Sequence, residues 1–440
     1  MVPGESRRRD GKPRWIKHRF NLFPIVLDSQ GVPWAEANVY LLSRLENVLH
    51  PVMTTYAGVA DDLGTYRAFL DEHEIDWMAF PVQKLARPTY RFNGHLKMIV
   101  AAGEIAPATA KRRMSTVVAF YRWLISEGVL TPGNAPWKES DRFVQYQNRE
   151  GFKKSLTVTV TDLRVKTPRQ DDPYDGQIED GGRLRPLSRQ EQEWLVDALI
   201  ALGNTEMTLI HLFSLLTGAR IQTTLTLRAR HAWLEIDDEA SGEIALPVGP
   251  GTGIDTKRDK RQVLHVPTWF YQMLKTYAAS DRARERRGRA VGGDHPDQYL
   301  FLSQRGAPLY RSKADAQAFD EDNRLHHQKV GQGVRQFIAE RVNPLVRERH
   351  ATPGFSYQFH DTRATAGMNW TDRQLLLVSQ GQATLHEARE FVRVRMGHDS
   401  SAVTDRYLRY RQNLKLVRHI ATEHETHLRL LSARAMEGLE

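Results

Sequence analysis

The stretch Met396-Gly397-His398-Asp399-Ser400-Ser401-Ala402-Val403-Thr404-Asp405-Arg406-Tyr407-Leu408-Arg409-Tyr410 decides how this chain is read. Gly397 and the run Asp399-Ser400-Ser401 form a turn that opens a helix, because Asp and Ser side chains accept the first orphan amides. That reading puts His398 on the turn and Tyr407 further along the helix, between Arg406 and Arg409. By itself the stretch is a surface helix with a solvated tyrosine. Its meaning comes from the residues upstream.

Composition narrows the classes. At 440 residues the chain is long for one core, so two or more domains are expected. With 40% hydrophobic and 26% charged residues it is globular rather than disordered. No apolar run approaches the roughly 18 residues of a membrane span, so no membrane partner is expected. Met1 to Phe20 lacks the apolar core of a secretory signal. With Cys 0 there is no disulfide, thiolate metal site or cysteine nucleophile, which suits a reducing cytoplasm. The net charge of +9 points to a phosphate-rich partner. The basic residues cluster, at Arg7-Arg8-Arg9 and again at Arg282, Arg284, Arg286, Arg287 and Arg289, as they do in proteins that bind a polyanion.

Along the chain, residues 1–25 read as a mobile basic arm and 26–145 as a small helical domain. Helices are expected from Trp34 to Leu49, after Asp61-Asp62, and from Ala108 to Glu127, where Val117, Tyr121 and Leu124 repeat at helical spacing. Lys111, Arg112 and Arg113 open the last of these, on a face suited to DNA phosphates. Residues 146–186 read as linker, although Thr157 to Thr161 alternates like a strand. A second domain, 187–412, begins with a capping box at Ser188-Arg189-Gln190-Glu191. It continues with a helix from Met207 to Leu216, strands at Ala232–Leu246 and Gln262–Pro267, and a helix from Val330 to Val342. Residues 413–440 read as a helix with an apolar face, able to dock on its own domain or on a neighbouring protomer. The fold class expected is mainly α with a small antiparallel β-sheet in the second domain.

Four patches of that domain carry polar residues which core packing does not demand. They are Thr217-Gly218-Ala219-Arg220, the basic turn Asp255-Thr256-Lys257-Arg258-Asp259-Lys260, Phe359-His360-Asp361-Thr362-Arg363, and the opening stretch. Together they supply arginines, lysines, histidines and a tyrosine, with no carboxylate cluster, so no metal and no cofactor is expected. That inventory suits displacement at a phosphodiester. Arginine forks can hold the non-bridging oxygens. A tyrosine oxygen can attack phosphorus and form a covalent intermediate, and a lysine or histidine can protonate the departing oxygen.

The four patches, in this order, resemble the tyrosine recombinase (phage integrase) family, whose catalytic fold is related to type IB topoisomerases. Arg220 matches the arginine after a Thr-Gly-x turn. Lys257 best fits the lysine of a β-hairpin turn, with Lys260 as the second choice. His360 and Arg363 match a His-x-x-Arg motif, and His398 with Tyr407 matches a Gly-His that precedes the nucleophilic tyrosine. The helical half is similar to the family's core-binding, SAM-like domain. The chain departs from the pattern at Thr223, where an acidic residue is usual, and at Thr362, where an apolar one is. Its extra length falls near 281–328 and 379–387.

The resemblance implies a two-domain DNA clamp that assembles as a tetramer on two double-stranded recombination sites and works without metal or ATP. It implies that Tyr407 forms a 3′-phosphotyrosyl link while Arg220 and Arg363 hold the phosphate. Lys257 would then protonate the leaving oxygen, His360 assist proton transfer and His398 bond the phosphate. Arg258, Lys260 and Arg406 join Lys111, Arg112 and Arg113 as expected DNA contacts. Tyr410 is the competing nucleophile. A DNA-binding protein that kept the fold without the chemistry, or a topoisomerase-like enzyme, is the competing function. The compartment implied is the cytoplasm, on the nucleoid when DNA is bound.

Overall fold

The computed structural model describes residues 2–7, 13–16, 20–46, 48, 51–147, 153–165, 176–234, 242–317 and 329–412. These form mostly helices. Every named sheet among them is a two-stranded antiparallel hairpin of consecutive strands. The chain divides into two compact units, Met1–Gln170 with Ala316–Gln328, and Asp171–Asp315 with Lys329–Glu440.

In the first unit, β1 (Val2–Arg7) and β2 (Pro13–Ile16) pair within the stretch read as a mobile arm. Four helices follow, α1 (Ala35–Ser43), α2 (Met53–Glu72), α3 (Pro88–Ala101) and α4 (Pro107–Ser126). Proline at the start of α3 and α4 occupies the position where its missing N–H costs nothing. The apolar stripe of α4 is core, as its spacing indicates: Met114, Val117, Phe120, Tyr121 and Leu124 are buried. Tyr66 and Tyr121 share a hydrogen bond at 2.7 Å, and Tyr121 Oη also lies 2.7 Å from the Trp77 carbonyl, so both buried phenols are satisfied. The helix expected after Asp61 begins earlier, at Met53, and α3 has no counterpart in the sequence reading. The strand expected at 157–161 lies in β4 (Lys153–Thr161), paired with β3 (Glu139–Gln147). Leu163 and Val165 beyond it are buried in this unit's core.

The second unit opens with a very short hairpin, β5 (Ile178–Glu179) and β6 (Arg183–Leu184). Residues 146–186, read as linker, thus lend strands to both units. The capping box at Ser188 and Glu191 starts α5 (Arg189–Ala201) as expected. α6 (Thr205–Thr217) is apolar on nearly every side and is buried accordingly. Short α7 (Ile221–Leu225) precedes the hairpin of β7 (Glu243–Val248) and β8 (Gln262–Pro267). β8 has the expected bounds. β7 is described from Glu243 rather than from Ala232, which closes a 3₁₀ turn at residues 229–232; residues 235–241 lie outside the described residues.

Beyond the hairpin come α8 (Thr268–Ala279), α9 (Asp281–Arg289), short α10 (Lys313–Gln317) and α11 (Gln332–Phe337). A π-helical turn at Ile338–Val342 leads into α12 (Asn343–His350). Then follow α13 (Phe359–Ser379), α14 (Leu385–Met396) and α15 (residues 401–412). Where an insertion was expected near 379–387, α13 ends and α14 begins with a Thr384/Glu387 capping box. The expected C-terminal helix from Asn413 lies outside the described residues, as do residues 318–328 of the insertion expected around Lys313 to Gln328.

The arginine-rich segment is a correction. On α9, Arg282 and Arg286 both pair with buried Glu206 of α6. Arg287 donates to the Ala278 carbonyl and pairs with Asp294, and Arg289 donates to the Gln304 carbonyl. A buried carboxylate requires such partners. Arg286 and Arg287 are therefore buried and paired inside the protein, whereas Arg282, Arg284 and Arg289 keep about half of their side chains exposed.

Candidate active site

Three of the four sequence patches meet because of one side chain. Arg363, on the first turn of α13, is only 1% exposed. Its Nη1 donates to the Gly218 carbonyl and its Nη2 to the Met396 carbonyl, each at 2.7 Å. Those carbonyls lie at the C-terminal ends of α6 and α14, where helices leave acceptors unpaired. Both helices end in glycine with positive φ, Gly218 at 66° and Gly397 at 61°, conformations a Cβ disfavours. Each glycine turns the chain so that the next functional residue, Arg220 or His398, comes back toward Arg363.

The third guanidinium nitrogen reveals a residue the sequence reading missed. Arg363 Nε donates to Asp180 Oδ2 at 2.9 Å. The same oxygen accepts from the Tyr407 hydroxyl at 3.1 Å and from His398 Nε2 at 3.2 Å. Asp180 Oδ1 lies 3.6 Å from Arg220 Nη2. Two arginines, a histidine and the tyrosine therefore surround a single carboxylate that is 4% exposed. The acid beside Arg220 comes from the β5–β6 turn, not from Thr223. The signal for it was Asp180-Gly181-Gly182, a turn sequence between the apolar residues Ile178 and Leu184.

Electrostatics follow from this geometry. Burial works against an ionised Asp180, but the His398 hydrogen bond and the charges of Arg363 and Arg220 outweigh it and hold the carboxyl well below its usual range. Burial raises the Tyr407 phenol well above the usual tyrosine value, and the Asp180 charge adds to the effect. Arg220 is pushed down to about 10 by burial and by Arg363, so it remains a cation at neutral pH. Its Nε is buried and makes no hydrogen bond to the described residues.

Both histidines are held neutral at neutral pH. His398 is lowered by burial, partly offset by Asp180. In the neutral ring Nε2–H donates to Asp180, while Nδ1, 3.0 Å from Thr404 Oγ1, accepts the threonine hydroxyl. His360 is pushed down to about 4 by burial and by the neighbouring Arg363 and Arg220.

The two candidate lysines separate cleanly. Lys257 sits on a tight turn with Arg258 and Asp259 at positive φ. Its ammonium lies against Gly181, 3.0 Å from where a methyl group on that residue would fall, and its charge also acts on His360. Lys260 is turned elsewhere. It donates to the Gly397 carbonyl at 2.6 Å and pairs with Asp399, tying the hairpin to the His398 turn. A groove of about 690 Å³ runs beside this junction, lined by Val263, Gln262, Gly397 and His398.

Tyr407 is wholly buried, packed with Ile178, Met368, Val392 and Met396, whereas Tyr410 lies at the edge of that cluster. Arg406 donates to the Glu179 carbonyl. Arg258 is exposed on its turn. In the first unit Lys111 is exposed, Arg113 is half-buried, and Arg112 pairs with Asp62 at 2.8 Å. Among the described residues, no three His, Cys, Asp or Glu side chains converge as metal ligands. Nor is any helix among them long and apolar enough to cross a membrane.

The sequence matches no protein-family model and no curated protein. Among solved structures the chain is similar to XerH site-specific recombinase bound to its palindromic difH substrate, at 13% identity and TM-score 0.48, covering 90% of this chain and 92% of that one. It is similar to a lambda integrase dimer bound to a COC′ core site, at 13% identity and TM-score 0.46, covering 85% and 94%. The Tn1549 transposon integrase in complex with circular intermediate DNA is a third, at 14% identity and TM-score 0.44, covering 85% and 93%.

Proposed function

We propose that this protein is a site-specific DNA recombinase that cuts and rejoins strands through Tyr407. The observation that carries the proposal is the convergence of Arg220, Arg363, His398 and Tyr407 on one carboxylate, the last three on the same oxygen. A phosphodiester has one negative charge and several acceptor oxygens, and this is a set of donors suited to it.

In the reaction, the Tyr407 phenol oxygen bonds to phosphorus at the 3′ side of the break and loses its proton to His360, which is neutral and so able to accept it. The bond from phosphorus to the 5′ oxygen breaks, and that oxygen takes a proton from Lys257. Arg220, Arg363 and His398 donate to the non-bridging oxygens, where charge builds. A 5′-hydroxyl from a partner strand reverses the step. The phosphate ester energy is conserved in the phosphotyrosyl bond, so ATP is not needed. Double-stranded recombination sites are the substrate, and a tetramer is the working assembly. Lys111, Arg112, Arg113, Arg258, Lys260 and Arg406 contact DNA phosphates, and of these Lys111, Arg112, Arg258 and Arg406 are exposed.

The complete burial of Tyr407 favours one competing reading, a DNA-binding protein without chemistry. A nicked suicide substrate followed by denaturing electrophoresis separates the two. A retained protein–DNA band supports strand transfer, and binding without that band supports the passive reading.

A further inference from the structure

Asp180 stands where the proposed reaction needs a phosphate. Its carboxylate carries one negative charge, as a phosphodiester does. It takes the donors of Arg363, His398 and Tyr407 on one oxygen and faces Arg220 with the other. Two like charges cannot share this position, because unit anions a few ångströms apart in a buried site repel strongly. A DNA phosphate and Asp180 are therefore alternatives, not neighbours.

The segment bearing Asp180 is built lightly. β5 and β6 are two residues each, with Ile178 opposite Leu184 and Glu179 opposite Arg183. The turn is closed by Asp180 N–H donating to the Gly182 carbonyl at 3.0 Å. The Lys257 ammonium lies beside Gly181, and Arg406 donates to the Glu179 carbonyl. The turn thus meets Arg220, Lys257, Arg363, His398 and Tyr407 at once. Ile178 also packs on Tyr407, so the same hairpin that neutralises the cations covers the nucleophile.

We propose that the Asp180 turn is an internal surrogate for the scissile phosphate, which keeps the cationic site assembled and Tyr407 covered until a DNA phosphate displaces it. This rests on the strand-transfer reading above. It adds to that reading a resting state in which the site is preformed but closed. Because Arg363 keeps its bonds to Gly218 and Met396, the catalytic frame need not rebuild when the turn leaves; one anion replaces another. Arg220 Nε, without a partner among the described residues, gains one from the larger phosphate.

The test compares the wild type with Asp180→Asn, which keeps the shape and removes the charge. Inorganic phosphate should raise the melting temperature of the variant more than that of the wild type. On a nicked half-site the variant should form covalent adduct at least tenfold faster. Equal stabilisation by phosphate, or slower adduct formation by a variant that folds, would overturn the proposal and make Asp180 a permanent brace. If phosphate stabilises the variant but neither protein forms an adduct, the surrogate stands and the recombinase reading falls. Should Asp180→Asn fail to fold, hydrogen exchange on the wild type decides. The amides of 178–184 should exchange faster when DNA is bound, and unchanged or slower exchange counts against displacement.

Discussion

Gly367 lies one helical turn beyond Arg363 and faces Tyr407 so closely that a methyl group built on it would fall 2.5 Å from the tyrosine Cε1. The Tyr407 ring is therefore seated against bare backbone of α13. Gly367→Ala should displace the ring at an overpacking cost of about 1–3 kcal/mol. Adduct formation should slow by at least tenfold. In a double-mutant cycle with Tyr407→Ala the destabilisation should largely disappear, as expected for direct contact. Additive effects would place the strain elsewhere.

Arg363 is a frame member as well as a proposed phosphate ligand. Arg363→Lys keeps the charge but cannot reach Gly218, Met396 and Asp180 together. Breaking a buried pair of this kind typically costs about 3–5 kcal/mol. Denaturant melts should show a loss of that order, whereas Arg220→Lys, at a partly exposed side chain with one long contact to Asp180, should cost much less. Similar losses in the two variants would contradict the structural role assigned to Arg363.

Lys257 and Lys260 differ in what they face, and their variants should differ in kind. Lys257→Ala should lower the cleavage rate by about 10²–10⁴-fold, the usual contribution of a general acid. DNA with sulfur in place of the 5′ bridging oxygen should restore it, since a thiolate leaves without a proton. Lys260→Ala should loosen the His398 turn and respond equally to both substrates. Rescue of the Lys260 variant rather than the Lys257 variant would reverse the assignment.

Three histidines are held at about 4 in the folded chain, His211, His231 and His360, with burial the first cause in each. Their unfolded value is about 6.5. Between about 4 and 6.5 the unfolded chain binds more protons, so stability rises with pH across that window. Stability should be full above pH 6.5, fall as pH drops toward 4, and lose nothing more from these groups below that. His211 is fully enclosed, bonded to the Met207 carbonyl and facing Tyr357, and should contribute on the order of 3 kcal/mol to the fall. Denaturant titrations at a series of pH values should give a shallower slope for His211→Gln. In the same way, the acid limb of kcat/KM should lie near 4, not 6.5, if His360 accepts the Tyr407 proton.

What the sequence revealed depended on the range of the interaction. α4 and α6 were legible because their apolar spacing is a local property, and the capping box at Ser188 announced α5 in the same way. Arg220, Lys257, His360, Arg363, His398 and Tyr407 were singled out because four short patches, in order, resemble the tyrosine recombinase family. What brings three of those patches together, the reach of Arg363 to two helix ends, involves residues more than a hundred positions apart on one side and leaves no local trace. Asp180 escaped for the same reason: a turn in an apparent linker shows nothing of the five side chains it meets. Arg282 and Arg286 of α9 misled because their partner, Glu206, sits on α6, far away in sequence. α3 and α14 carried apolar spacing at least as regular as that of α4, and the Thr384-x-x-Glu387 capping box of α14 was also present to be read.

The central claim is that Tyr407 carries the DNA. Trypsin cleaves after Arg406 and Arg409, which places Tyr407 and Tyr410 in different peptides. Mass spectrometry of a nuclease-trimmed covalent adduct should find the nucleotide on Tyr407-Leu408-Arg409. A nucleotide on Tyr410-Arg411, or an adduct that persists in Tyr407→Phe, would contradict the account.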